Sequence, residues 1–143
     1  MSLYANGHHF RLAVRCCPPI GELPPVVTVQ MAGSTDLFVY VTGKVDTGAF
    51  RTMLTFDTAR RLGIEDPAQT SLGTGTARTA TGEPIAYYVH IVSVRASEGT
   101  KQPIEFPLKA AFADRIQRNL FGVDWLAHLC LAVDSAAVHF LRD

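Results

Sequence analysis

Short runs of β-branched and aromatic residues, each closed by turn formers, limit what this chain can fold into. Residues 26–31 (VVTVQM) and 37–41 (LFVYV) flank a turn at 32–36 and read as a hairpin. Residues 52–54 (TML) make a further short strand. Residues 85–94 (IAYYVHIVSV) read as a long strand with Ile85, Tyr87, Val89 and Ile91 on one face and an exposed His90 on the other. Residues 104–112 form another strand, broken by Pro107. Residues 131–133 and 138–141 close the chain as a hairpin around Asp134 and Ser135, and 10–14 (FRLAV) is a candidate edge strand. Helical signals are brief. Thr55 caps residues 56–62, with Asp57 in the first turn, Arg60 and Arg61 in the last, and Gly63 behind. Asp124 is expected to cap a second helix over 125–129. The sum is an all-β barrel or sandwich with one or two short helices.

At 143 residues the chain has room for one core. The expected division is an extended N-terminal segment over 1–25, interrupted by Pro18, Pro19, Pro24 and Pro25, and a domain over 26–143. An apolar fraction of 48% with 18% charged residues describes a globular protein. Thirteen basic residues balance thirteen acidic ones, so no charge excess recommends nucleic acid or a cationic partner, and little repulsion opposes self-association. Cys16, Cys17 and Cys130 have no zinc-like spacing, and their odd number fits a reducing compartment. Cys130, between two leucines, reads as a buried thiol, and His8 and His9 as solvated side chains rather than metal ligands. Residues 1–15 lack the apolar core of a signal peptide, and no stretch reaches membrane-spanning length, so no membrane partner is expected. The expected location is cytoplasmic.

One polar insertion stands out against the apolar runs: Val45-Asp46-Thr47-Gly48-Ala49, directly after a strand. Asp and Gly favour turns, and a turn is the plain reading of the tripeptide. The chemical reading needs a second carboxylate. Hydrolysis of an amide by water requires one group to take a proton and another to give one at nearly the same place. Two carboxylates within about 3 Å achieve this by sharing one proton. The chain carries one such motif, so the second aspartate has to come from a two-fold related copy.

Three features in order resemble the retropepsin-type aspartic proteases, the single-domain, homodimeric relatives of pepsin. They are residues 45–49 followed by Thr52-Met53-Leu54, a glycine-containing hairpin around 79–84, and Leu120-Phe121-Gly122 followed by Asp124-Trp125-Leu126. The resemblance covers about residues 26–141 and implies a closed acid-protease barrel, one lobe per chain. It implies an aspartic endopeptidase in which Asp46, one per subunit, activates water against an extended peptide or protein substrate. Thr47 would bond across the dimer axis, and Gly48 and Ala49 would line the substrate's path. Ala80, Thr81 and Gly82 would lie at the tip of a substrate-covering flap, adding a strand to the peptide. Gly122 would sit beneath the Asp46 loop. No metal or organic cofactor is required. Phe50 and Val123 stand where retroviral members carry an Asp–Arg ion pair, and the flap tip has one glycine where those members have several. Lys44 is unusual in the strand leading to Asp46, and alternation from Val45 turns it outward. Trp125, next to Leu126, reads as core. Two alternatives stay open at this level: an inactive retropepsin-like domain for dimerisation or peptide binding, and an unrelated small barrel in which Asp46 is a turn residue.

Overall fold

The computed structural model describes residues 4–5, 8–9, 12–16, 25–79, 81–133 and 136–141. Phe10, Arg11, Cys17, the prolines at 18, 19 and 24, Ala80, Asp134 and Ser135 lie outside the described residues, as do the side chains of His8, His9 and Cys130.

Strands β1 (Tyr4–Ala5) and β2 (His8–His9) pair antiparallel, and β3 (Leu12–Arg15) follows. β4 (Val26–Ala32) and β5 (Val39–Val45) form the expected hairpin, in register from Val26 opposite Lys44 to Met31 opposite Val39. β5 begins two residues later than the LFVYV run and continues through Thr42, Gly43 and Lys44. Gly43 stays in the strand because a Cβ there would lie 2.6 Å from Cζ of Phe121, whose ring fills that space.

β6 (Met53–Thr55) leads into α1 (Phe56–Arg61). Thr55 caps this helix as expected, its Oγ1 accepting from the Thr58 N–H at 3.2 Å, and Gly63 takes the left-handed φ of +80° behind Leu62. Asn119 ties the helix start to the barrel: its Oδ1 accepts from Thr55 N and Thr58 Oγ1, and its Nδ2 donates to the Thr42 carbonyl.

β7 (Gly73–Arg78), β8 (Pro84–Ala96) and β9 (Ile104–Ala113) form a meander. Pro107 does not break β9. It pairs with Ser93 of β8, while β6 meets β9 only at residues 111–113, so at Pro107 the other side of the strand has no ladder to lose. β8 also corrects the expectation for His90. The even positions Val92, Val94 and Ala96 face the main core, and His90 is buried with them at 8% exposure. Its Nε2 meets the Pro67 carbonyl at 2.7 Å, and its ring stands edge-on to Phe112. The odd face is covered by a smaller cluster around Met53, Ile85, Ala111 and Ala113, and Ile91, beyond that cover, is 54% exposed.

β10 (Asn119–Phe121) runs parallel to β5 and antiparallel to β6, and a 3-10 helix (Val123–Ala127) follows it. This helix corrects a second expectation. Gly122 holds its N-cap position, and Asp124 lies inside the first turn with its carboxylate directed elsewhere. Trp125 is core as expected: it has no exposure and stacks on Phe121 at 4.7 Å. β11 (Cys130–Val133) and β12 (Ala137–Leu141) make the closing hairpin, and β3 adds to β12.

The main sheet runs β4-β5-β10-β6-β9-β8, and pairing of β8 with β4 at residues 93–95 closes it into a six-stranded barrel. Closure leaves these strands no long bare edges, and β7 extends from β8 as a projecting hairpin. The core joins Val27, Val29, Met31, Val41, Leu54, Phe106, Phe112, Phe121 and Trp125 with Leu12, Val138 and Phe140 of the three-stranded sheet.

Glu98 fastens that sheet from outside. Its Oε1 accepts from the Ala13 N–H at 2.8 Å and from Lys101 Nζ at 2.9 Å. The Ala13 amide first, and then Lys101, hold the Glu98 carboxyl below its ordinary value of 4.5. A depressed carboxyl stabilises the fold above that value and loses its contribution as the pH falls through the folded-state value. Hydrogen exchange should therefore show the Ala13 amide losing protection below about pH 4.5. Glu98→Gln should flatten that dependence; an unchanged acid response in the variant would assign it to other groups.

Candidate functional site

The β5–β6 connection is set by backbone bonds to segments on both sides of it in the chain. Val45 N donates to the Pro25 carbonyl, Asp46 N to the Phe121 carbonyl and Val123 N to the Ala49 carbonyl, each at 2.9 Å. Within the loop, Ala49 N donates to the Asp46 carbonyl, and Gly48 N donates to Asp46 Oδ1 at 2.8 Å. The carboxylate is thus turned by its own loop. A side chain at Gly48 would crowd it, since a Cβ would stand 3.1 Å from Oδ1.

Beneath the loop, the side chains of Thr52 and Asp124 and the backbone of Gly122 form a brace. Thr52 is fully buried. Its N–H donates to Asp124 Oδ2 and its hydroxyl to Asp124 Oδ1, both at 2.8 Å, while Thr52 Oγ1 accepts from Gly122 N at 3.2 Å. The Thr52 carbonyl accepts from Ala111 N, joining the brace to β9. Gly122 packs so close that a Cβ would lie 2.6–2.7 Å from backbone atoms of Arg51 and Ala49. Those atoms cannot rotate away, so any larger residue would push the loop.

Asp46 stands at the edge of a cleft of about 640 Å³. Met53, Ile85, Ile116 and Leu120 supply an apolar wall, with Ala77, Arg78 and Thr79 of the β7–β8 hairpin opposite the Asp46 loop. Gly48 and Ala49 line the cleft; Thr81 and Gly82 do not, lying exposed at the hairpin tip. The tip is well bonded: Thr79 N donates to the Glu83 carbonyl, Gly82 N to the Thr79 carbonyl at a φ of +87°, and Arg78 Nη1 to the Gly82 carbonyl. Lys44 faces a separate groove with Thr42, Asp57 and Arg118, away from the cleft.

On the other side of Asp46, exposed Thr47 borders a small apolar hollow formed by Val45, Phe121, Val123, Leu126, Leu131 and Val133. Leu126 and Val133 are 53% and 44% exposed there. Among the described residues, no group of three or more His, Cys, Asp or Glu side chains is arranged to hold a metal ion.

The family model described as gag-polyprotein putative aspartyl protease matches residues 39–128, well over half of the chain. The chain belongs to this aspartyl protease family. Solved structures agree in fold. A retropepsin-like aspartic protease from Rickettsia conorii superposes with a TM-score of 0.50 at 21% identity, covering 80% of this chain and 81% of its own. The EIAV protease, in complex with an inhibitor, superposes with a TM-score of 0.50 at 18% identity, covering 78% of this chain and 92% of its own. None of the curated proteins compared with the sequence matches it. The retropepsin-like barrel is therefore the fold of this family member.

The residues the sequence singled out separate into two places. Asp46, Thr47, Gly48, Ala49 and Gly122 are brought together by β5, β10 and the loop between β5 and β6; Thr81 and Gly82 sit apart on the hairpin. Sequence reasoning missed Thr52 and Asp124 as a pair and gave no part to Arg51 or Tyr87. Polar residues set among buried neighbours, six places after Asp46 and two after Gly122, were the available signal.

Proposed function

We propose that the protein is an aspartic endopeptidase that acts as a homodimer on extended peptides. The observation that carries this reading is the braced Asp46 carboxylate at the edge of an apolar cleft, in a chain of the aspartyl protease family. A second copy related by a two-fold axis would bring Asp46 against Asp46 of the partner subunit, and the pair would hold one proton between them. The ionised member takes a proton from water as its oxygen adds to the peptide carbonyl carbon. The protonated member serves the departing amide nitrogen, so the C–N bond breaks with no net gain or loss of protons by the pair.

The other residues have supporting parts. Thr47, exposed beside Asp46, would bond across the axis, and a second copy would cover the apolar surface that Leu126 and Val133 leave exposed. Gly48 and Ala49 offer backbone to the substrate, and Gly122 gives the loop its seat. Ala80, Thr81 and Gly82 act as a flap whose backbone pairs with the peptide. Phe50 and Val123 leave no charge stranded where an ion pair is absent. The chemistry calls for no cofactor.

The test is cleavage of a randomised peptide library between about pH 3.5 and 7, the range a proton-sharing pair can serve. Specific activity should fall on dilution in step with dissociation of the dimer, measured by sedimentation. A protein that is dimeric at the assay concentration and cuts nothing across that range would refute the endopeptidase reading.

A further inference from the structure

The cleft beside Asp46 has a neighbour across Phe50 and Arg51. Phe50 and Arg51 line it on one side and a second groove of about 490 Å³ on the other, which continues over Ile91, Pro107, Lys109, Ala127 and His128. The groove is apolar at its centre, where Phe50 and Ile91 are 59% and 54% exposed. Exposed apolar side chains of that size, grouped in a concave surface that borders a cleft, are the kind of surface that serves docking.

The charges of this groove are one-sided. Asp124, the one carboxylate among the described residues that line it, is committed to Thr52 through both oxygens. Arg51 and Lys109 make no salt bridge with any carboxylate among the described residues. Arg51 is instead positioned by rings: its guanidinium carbon lies 5.6 Å from the Tyr87 ring centre and 6.0 Å from that of Phe50. Tyr87 can lie where it does because residue 75 is glycine; a Cβ there would be 2.3 Å from the phenol. A guanidinium held on aromatic faces keeps its N–H donors free for a planar carboxylate.

Resting on the endopeptidase reading, we propose that this groove extends the substrate site and selects peptides carrying a carboxylate side chain next to an apolar one. The apolar residue rests on Phe50 and Ile91, and the carboxylate meets Arg51 and Lys109. Because a bound peptide is extended, the acidic residue falls at one fixed distance from the cleaved bond. The partner is thus a peptide that carries an apolar residue with an acidic residue beside it at a fixed distance from the cleaved bond, and neutral or basic segments there are rejected.

Selection can be read without catalysis. A randomised heptapeptide library is equilibrated at about pH 6 with immobilised Asp46→Asn protein, and the retained pool is sequenced. Glu and Asp should be enriched about fivefold over Gln and Asn at one position, an effect expected of a partly exposed ion pair. The enrichment should shrink as salt rises from about 0.05 M to about 0.5 M. It should vanish when Arg51→Gln is added, return only in part with Arg51→Lys, which keeps the charge without the planar fork, and be lost with Lys109→Glu, whose carboxylate competes for Arg51. Lys109 is exposed, so that variant tests the groove without touching the loop. A retained pool with no acidic position, or one whose acidic position survives either Arg51→Gln or Lys109→Glu, overturns the proposal. Cleavage by the wild-type protein is scored separately: a protein that enriches acidic peptides but cuts none would remove the endopeptidase reading and leave the groove.

Discussion

Asp46→Asn is expected to lower kcat on any cleaved peptide by at least about 10³-fold while leaving the barrel and the dimer in place. The amide has nearly the same shape, and its oxygen can still accept from the Gly48 N–H that now binds Oδ1 at 2.8 Å. What it cannot do is take a proton from water. Since each active centre would contain both copies of the residue, one substituted subunit per dimer is enough to stop it. Mixing wild-type and Asp46→Asn protein in equal amounts should therefore leave about a quarter of the dimers active, from random pairing of two subunits. Residual activity near one half would mean that each subunit works alone. Thermal denaturation and sedimentation of the variant should match wild type, and a variant that lost both would instead show a structural role for the carboxylate.

Asp124→Ala should damage both stability and turnover. It removes both acceptors of Thr52, a residue with no exposure, and leaves a buried N–H and a buried hydroxyl proton without acceptors. Each such orphan costs about 1–3 kcal/mol, so a loss of about 2–6 kcal/mol is expected for the two. For a domain of this size that corresponds to a fall in Tm of about 10 °C. Asp124→Asn keeps one acceptor and should lose about half as much. The effect on turnover should exceed the effect on stability, because Thr52 Oγ1 also holds Gly122, and Gly122 supports the Asp46 loop through backbone contact. Displacing reacting groups by about 1 Å can cost about 10²-fold in rate. Thermal unfolding and kcat measured on the same preparation separate the two. A stable, slow variant would place the brace in the positioning of Asp46; one that unfolds easily yet turns over normally would make it a stability element alone.

Both predictions concern one loop, but the sequence revealed its two halves unequally. Asp46-Thr47-Gly48 could be found because an aspartate and a glycine interrupt a run of strand formers, and Leu120-Phe121-Gly122 because it repeats a family order. The Thr55 cap and Gly63 were equally readable, since capping is decided within one helical turn. Asp124 was misread for the same reason. A carboxylate just before an apolar stretch has the local signature of an N-cap, but its partner is Thr52, 72 positions earlier. The Thr52–Asp124 pair exists only once β10 has come between β5 and β6.

What the sequence determined by itself, then, is whatever neighbours along the chain can decide: alternating strands, turns, one capped helix, and the residues of the Asp46 loop. Tertiary structure decided which faces are covered. His90 is buried because Pro67 and Phe112 arrive over it, and Ile91 is left in water because the cluster around Met53 ends before reaching it. Closure of the barrel through β4 and β8, the seat of Gly122 and the groove beyond Phe50 have the same origin. Each depends on side chains brought together from distant positions, and periodicity in a strand says that two faces differ without saying what will lie against either one.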